Sequence, residues 1–196
     1  MKNTTKKKKL LIGITGASGM LFLPPFLEMI DNCSADIAVH GICSESGVQV
    51  LQHELQLEPH ELPAVAKWFD IDDFSAPPSS GSSGYNAMVI LPCTMGSLAA
   101  IAGGHSFNLI HRAADVMLKE RKQLILAVRE TPLNRNHLSN MLQAHDAGAM
   151  IFPPMPGFYL RPKTLEEAAQ TYCWRLADAL GIEVKKRKRW GGETDV

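Results

Sequence analysis

The run LILAVRETPL, residues 124–133, decides the fold. Its first five residues are apolar with no polar alternation, the texture of a strand covered on both faces. Such a strand belongs to a parallel sheet, whose crossovers are made by helices. The run then breaks off in Arg129 and Glu130, followed by Pro132, which disfavours helix at the residue before it. Charges at the exit of a buried strand either cap a surface loop or face a ligand, and the run alone leaves both readings open.

Outward from this run the same texture recurs. KLLIGIT (9–15), DIAVHGICS (36–44), AMVILP (87–92) and AMIFPP (149–154) are short apolar stretches. Helical patterns separate them, among them ESGVQVLQHEL (45–55), LSNMLQAHDAG (138–148) and TLEEAAQTYCWRLADALG (164–181). Alternation of this kind predicts a doubly wound α/β domain with a mainly parallel sheet, a Rossmann-like or flavodoxin-like three-layer sandwich. A chain of 196 residues can bury one sizeable core and has no need of a second domain. Basic runs near the termini, KKKK (6–9) and KKRKR (185–189), read as solvated tails. The expected division is a tail over 1–8, one domain over 9–182 and a second tail over 183–196.

Composition excludes several classes of function. Lys+Arg and Asp+Glu both number 20, so overall charge gives no reason to expect nucleic acid as the main partner. Cys33, Cys43, Cys93 and Cys173 are scattered without a CxxC spacing or a close histidine, which predicts reduced thiols and neither a metal site nor a disulfide framework. No apolar run has the length of a membrane span, and the start lacks a convincing cleavage site, so the expected compartment is the cytoplasm.

In an open parallel sheet, ligands bind outside the carboxyl ends of the strands. The exits are TGASG (15–19), CSES (43–46), PCTMGS (92–97), RET (129–131) and PPMPGFY (153–159). In the first, glycines permit close backbone approach, while amides and the Ser18 hydroxyl can face an anion. PCTMGS offers Thr94 and Ser97 at a helix start, where a plain helix cap by Thr94 is the simpler reading. Two hydroxyl-rich exits together with Arg129 suit a phosphorylated cofactor. A nicotinamide dehydrogenase also opens on TGASG, but its Tyr-x-x-x-Lys match, YLRPK (159–163), contains a proline that keeps Tyr159 and Lys163 off one helical face. The stretch SAPPSSGSSG (75–84) reads as a linker or as a ligand-facing loop.

The segment NLIHRAADVMLKERKQLILAVRETPLNRNHLSNML (108–142), continued by PPMPGFYLRP (153–162), closely resembles the flavin prenyltransferase family, UbiX-like proteins. With TGASG, the Ser-Gly-Ser at 80–82 and PCTM, the resemblance runs from about residue 12 to residue 182 with motif order and spacing kept. It implies contacts to flavin mononucleotide (FMN) from Gly16, Ala17, Ser18, Ser44, Thr94, Met95, Gly96, Ser97 and Arg129. It also implies that Arg112, Lys119, Tyr159 and Arg175 meet the phosphate of a prenyl donor, that Glu54 lines the site, and that Glu130 is the acid/base. Trp190 stands where some members carry a tail tryptophan near the site.

The implied reaction joins a dimethylallyl group from dimethylallyl monophosphate to reduced FMN beside flavin N5, without a metal. Prenylated FMN then passes to a UbiD-type decarboxylase, and the implied assembly is a homo-oligomer, the family's dodecamer. Three departures stand out. Thr94 replaces a serine and keeps the hydroxyl; Ser83 replaces a frequent aromatic, so a wall of the prenyl pocket is either missing or supplied by Phe74 or Tyr85; and Pro24 and Pro25 interrupt the first helix. An FMN-dependent cysteine decarboxylase shares sheet and cofactor but is marked by a histidine and an Asn-rich motif not found at these exits. A non-catalytic FMN carrier is the other alternative, favoured by the aromatic missing at Ser83.

Overall fold

In the computed structural model, which describes residues 7–33, 35–184, 187 and 191, six parallel strands form one sheet. They are β1 (Lys8–Ile14), β2 (Ile37–Cys43), β3 (Val65–Phe69), β4 (Ala87–Cys93), β5 (Gln123–Val128) and β6 (Met150–Ile151), in the order β3-β2-β1-β4-β5-β6. Every pairing is parallel. This is the order in which two βαβ halves meet between the first and fourth strands. The expected doubly wound sandwich is therefore what the chain forms, with β1 starting one residue ahead of the expected domain boundary.

The pleat explains why the central strands show no polar alternation. Leu10, Ile12 and Ile14 of β1 face a layer made by α1 (Leu23–Asp31), α2 (Glu45–Leu55) and α6 (Leu165–Ala179), while Leu11 faces α3 (Met95–Ala102), α4 (Leu109–Lys119) and α5 (Arg135–Asp146). Both faces are covered, so both sets of side chains are apolar. Tyr172 of α6 ties the first layer together: its ring meets Phe22 edge-on at 5.0 Å, and its hydroxyl donates to the Phe152 carbonyl at 2.9 Å.

Two local expectations are revised. Edge strand β3 was not anticipated, because VAKWF is short and carries the exposed Lys67 in its middle. Pro24 and Pro25 do not interrupt α1. A 3-10 turn over Met20–Phe22 takes the chain from the β1 exit, and the prolines then fall in the first turn of α1, where a missing N–H leaves no helical bond unmade. Among the described residues no helix is long and apolar enough to cross a membrane.

Candidate functional site

The point where strand order reverses lies between β1 and β4, and the crevice outside their carboxyl ends gathers most of the exit residues. Thr15 staples the two exits. Its hydroxyl donates to the Pro92 carbonyl at 2.9 Å and accepts from the Thr94 amide at 2.9 Å. Thr94 then caps α3 by accepting from the Ser97 amide at 3.1 Å, and Ser44 caps α2 by accepting from the Gly47 amide at 3.0 Å. These caps satisfy the third amide of each helix. The Glu45, Ser46, Met95 and Gly96 amides, in the first turns, have no intrahelical partner. Gly16 lets β1 and α2 meet here, since a Cβ on it would come within 2.5 Å of Ser46.

The anion at the TGASG turn belongs to the chain itself. The Glu54 carboxylate, at the end of α2, accepts from the Gly19 amide at 3.0 Å and the Met20 amide at 2.8 Å. Burial alone would raise its pKa. A hydrogen bond from the Ser18 hydroxyl, the two amides and the positive charge of Arg129 outweigh burial and hold the carboxyl below its ordinary range. Glu54 is thus ionised at neutral pH. The Gly16 and Ser18 amides make no hydrogen bond among the described residues. Arg129 and Glu130, at the β5 exit, are exposed; the Arg129 amide donates to the Cys93 carbonyl at 3.1 Å, and the Glu130 carboxylate accepts from the Thr131 amide at 2.9 Å.

Lys119 does not join this cluster. Lys119 ends α4, four residues before β5 begins, and so sits at the amino edge of the sheet. Its ammonium pairs with Glu120 at 2.5 Å. Arg112 donates to the Ser79 carbonyl at 3.1 Å and pairs with Asp115 at 2.8 Å. From Ser79 the chain continues to the amino edge, where the Ser83 carbonyl accepts from Lys9 at the start of β1. Six strand residues at about 3.3 Å each put roughly 20 Å between Lys119 and Arg129. Tyr159 and Arg175 form a third group. The Gly157 amide donates to Thr171 at 2.8 Å, which seats the Tyr159 turn on α6 one helical turn before Arg175, itself 3.7 Å from Asp178. Trp190 lies outside the described residues.

Tyr85 does not supply the wall expected near Ser83. It is 3% exposed, shares a 2.6 Å hydrogen bond with His40, and its phenol is pushed up to about 12 by burial. Phe74 is exposed. One feature escaped the sequence: Ser18 and Glu54 line a cavity of about 760 Å³ with Leu21, Pro24, Pro25, Leu55, Leu165 and Gln170. An apolar Leu165 at the exposed first position of a helix was its one legible signal.

The model of the Flavoprotein family matches residues 1–165. The flavin prenyltransferase UbiX of Methanothermobacter thermautotrophicus is 41% identical over 187 residues, covering 95% of this chain and 97% of that protein. A solved structure described as AnUbiX (PadA1) in complex with FMN and dimethylallyl pyrophosphate superposes with a TM-score of 0.89 at 35% identity, over 96% of this chain and 100% of the other. A dodecameric FMN-dependent UbiX-like decarboxylase from Escherichia coli O157:H7 gives a TM-score of 0.87 at 33% identity, over 92% and 98%.

Proposed function

The chain belongs to the Flavoprotein family, among the UbiX-type flavin prenyltransferases, and from that premise we propose that it transfers a dimethylallyl group from a dimethylallyl phosphate ester to reduced FMN. The observation that carries this reading is the switch point between β1 and β4, at whose carboxyl edge Thr94, Ser97, Ser44, the unpartnered first-turn amides and the exposed Arg129 stand. These groups fit a flavin: donors for a phosphate or a carbonyl edge, and a guanidinium for a planar, electron-rich partner. Bound there, reduced FMN supplies the nucleophilic N5.

The residues divide the remaining work. Gly16, Ala17, Ser18, Ser44, Thr94, Met95, Gly96, Ser97 and Arg129 hold and orient the flavin. Glu54 stays ionised and organises the TGASG turn, so it acts as an anchor instead of a proton donor. Arg112, Lys119, Tyr159 and Arg175 receive the ester's phosphate as its carbon–oxygen bond breaks and the electron pair leaves with oxygen; fixed cations favour that charge. Glu130 exchanges protons with the flavin edge during ring closure. Because Lys119 lies roughly 20 Å from Arg129 within one chain, the Lys119 that meets the donor at a given flavin comes from another copy, in a dodecamer like that of the E. coli relative. The product, prenylated FMN, serves a UbiD-type decarboxylase, and the protein works in the cytoplasm. Incubation with reduced FMN and dimethylallyl monophosphate, followed by mass spectrometry of the released flavin, tests the reading. The expected result is a flavin heavier by one dimethylallyl unit; flavin bound and returned unchanged would make the protein a carrier.

A further inference from the structure

Next to Arg112, α4 carries a buried histidine that none of the roles above employs. His111 is 8% exposed, and its Nε2 lies 3.4 Å from the Ser97 hydroxyl. Its Nδ1 is buried and makes no hydrogen bond among the described residues, so Ser97 is the ring's one polar contact. Phe107 meets the ring edge-on at 6.1 Å, and burial lowers the histidine's pKa, leaving a neutral imidazole at neutral pH. Burying an imidazole with one nitrogen unpaired is costly in a helix that also buries Ala113 and Ala114.

The contact it does make is placed at the end of a chain of hydrogen bonds. Thr15 holds Pro92 and Thr94; the Thr94 hydroxyl donates to the Ser97 hydroxyl at 3.1 Å; and Ser97 reaches His111. One end of the ladder is rooted in β1 and the other in α4, and the α3 capping turn hangs between them. Without His111, Ser97 is tied only to Thr94, a residue of its own turn. We infer that His111 is a positioning residue for flavin binding: through Nε2 it fixes the Ser97 hydroxyl and so the Thr94–Ser97 turn whose free amides face the crevice. This rests on the flavin reading proposed above.

The test is a double-mutant cycle read by FMN affinity, from quenching of flavin fluorescence, with thermal melting recorded beside it. His111→Phe keeps an aromatic ring against Phe107 and deletes Nε2, and weakens FMN about five- to tenfold, the effect of one lost hydrogen bond. His111→Gln, whose terminal amide reaches the place of Nε2, restores affinity to within about twofold of the unsubstituted chain, since its bond to Ser97 is remade. In a Ser97→Ala background, His111→Phe adds no further loss, because its partner is gone. Should the phenylalanine chain not fold, His111→Asn, too short to reach Ser97, takes its place in the cycle. Unchanged FMN affinity in His111→Phe, full additivity with Ser97→Ala, or a lower melting temperature as the sole effect would each overturn the inference while leaving the flavin reading intact. An unsubstituted protein that binds no FMN overturns both.

Discussion

Replacing Glu54 by glutamine tests whether the anion of the TGASG turn is internal. The carboxylate takes amide hydrogen bonds at 3.0 Å from Gly19 and 2.8 Å from Met20, and the Ser18 hydroxyl further favours its charged form. Bonds to a charged acceptor contribute about 1.5–3 kcal/mol net each. Glutamine keeps one carbonyl oxygen and therefore part of this, and the half-buried site is partly screened, so the expected loss is about 1.5 kcal/mol, one charge-assisted bond at the low end. For a chain of 196 residues that lowers the melting temperature by roughly 3–6 °C at pH 7. The pH dependence follows from the sign of the shift. Glu54 has a folded-state pKa below its unfolded value, so its contribution is fully present above the ordinary carboxylate range and fades as pH falls through the folded pKa. Melting curves of both proteins, recorded by circular dichroism from pH 7 down towards pH 3, should therefore converge on acidification. Equal melting temperatures at pH 7, or a gap that persists undiminished in acid, would refute the assignment.

Other expectations follow from the same geometry. Glu130→Gln keeps FMN affinity but lowers turnover roughly 100-fold or more, the scale of a lost general acid/base, in a single-turnover assay. Arg129→Ala instead weakens FMN, by the roughly 10- to 100-fold that one charge-assisted contact represents, measured by titration. Gly16→Ala places a methyl within 2.5 Å of Ser46 and forces β1 and α2 apart, an overpacking of about 1–3 kcal/mol visible in denaturant unfolding, with FMN binding impaired alongside. Lys119→Ala and Glu130→Gln, each strongly impaired alone, recover part of the activity when unfolded together and reassembled, because mixed contacts contain one intact set of each; two impaired proteins that gain nothing on mixing contradict a shared site.

The sheet was legible because its central strands are buried on both faces, and burial on two sides writes continuous apolar runs such as LLIGI and LILAV. β3 was not, because an edge strand with Lys67 and Trp68 half in solvent reads like a loop. The exits could be lined up from topology alone, which is why Thr94, Ser97, Ser44 and Arg129 could be singled out as candidates. Sequence could not show that the Gly19 and Met20 amides were already taken. Their partner, Glu54, is 35 residues from Gly19, and nothing local links them. Nor could it show which charges stand together: Lys119 and Arg129 are both cations of one contiguous segment, yet the end of α4 and the exit of β5 carry them to different edges.

That separation constrains how the reaction can be housed. A βαβ unit returns the chain to the sheet's amino edge before every strand, so a residue at the end of a crossover helix and one at the exit of the following strand are held apart by the strand's full length. No side-chain rotation closes roughly 20 Å between Lys119 and the Arg129–Glu130 exit. A phosphate held by Lys119 can meet a flavin held by Arg129 only where the amino edge of one sheet is brought to the carboxyl edge of another. Contact of that kind pairs unlike surfaces, and unlike surfaces repeated around an axis close into rings. The chain carries apolar side chains suited to such contacts, with Phe107, Leu142, Met155, Phe158 and Leu165 all at least 60% exposed. Assembly on this reading is a condition of catalysis, and a variant that binds FMN as a monomer should hold the flavin without prenylating it.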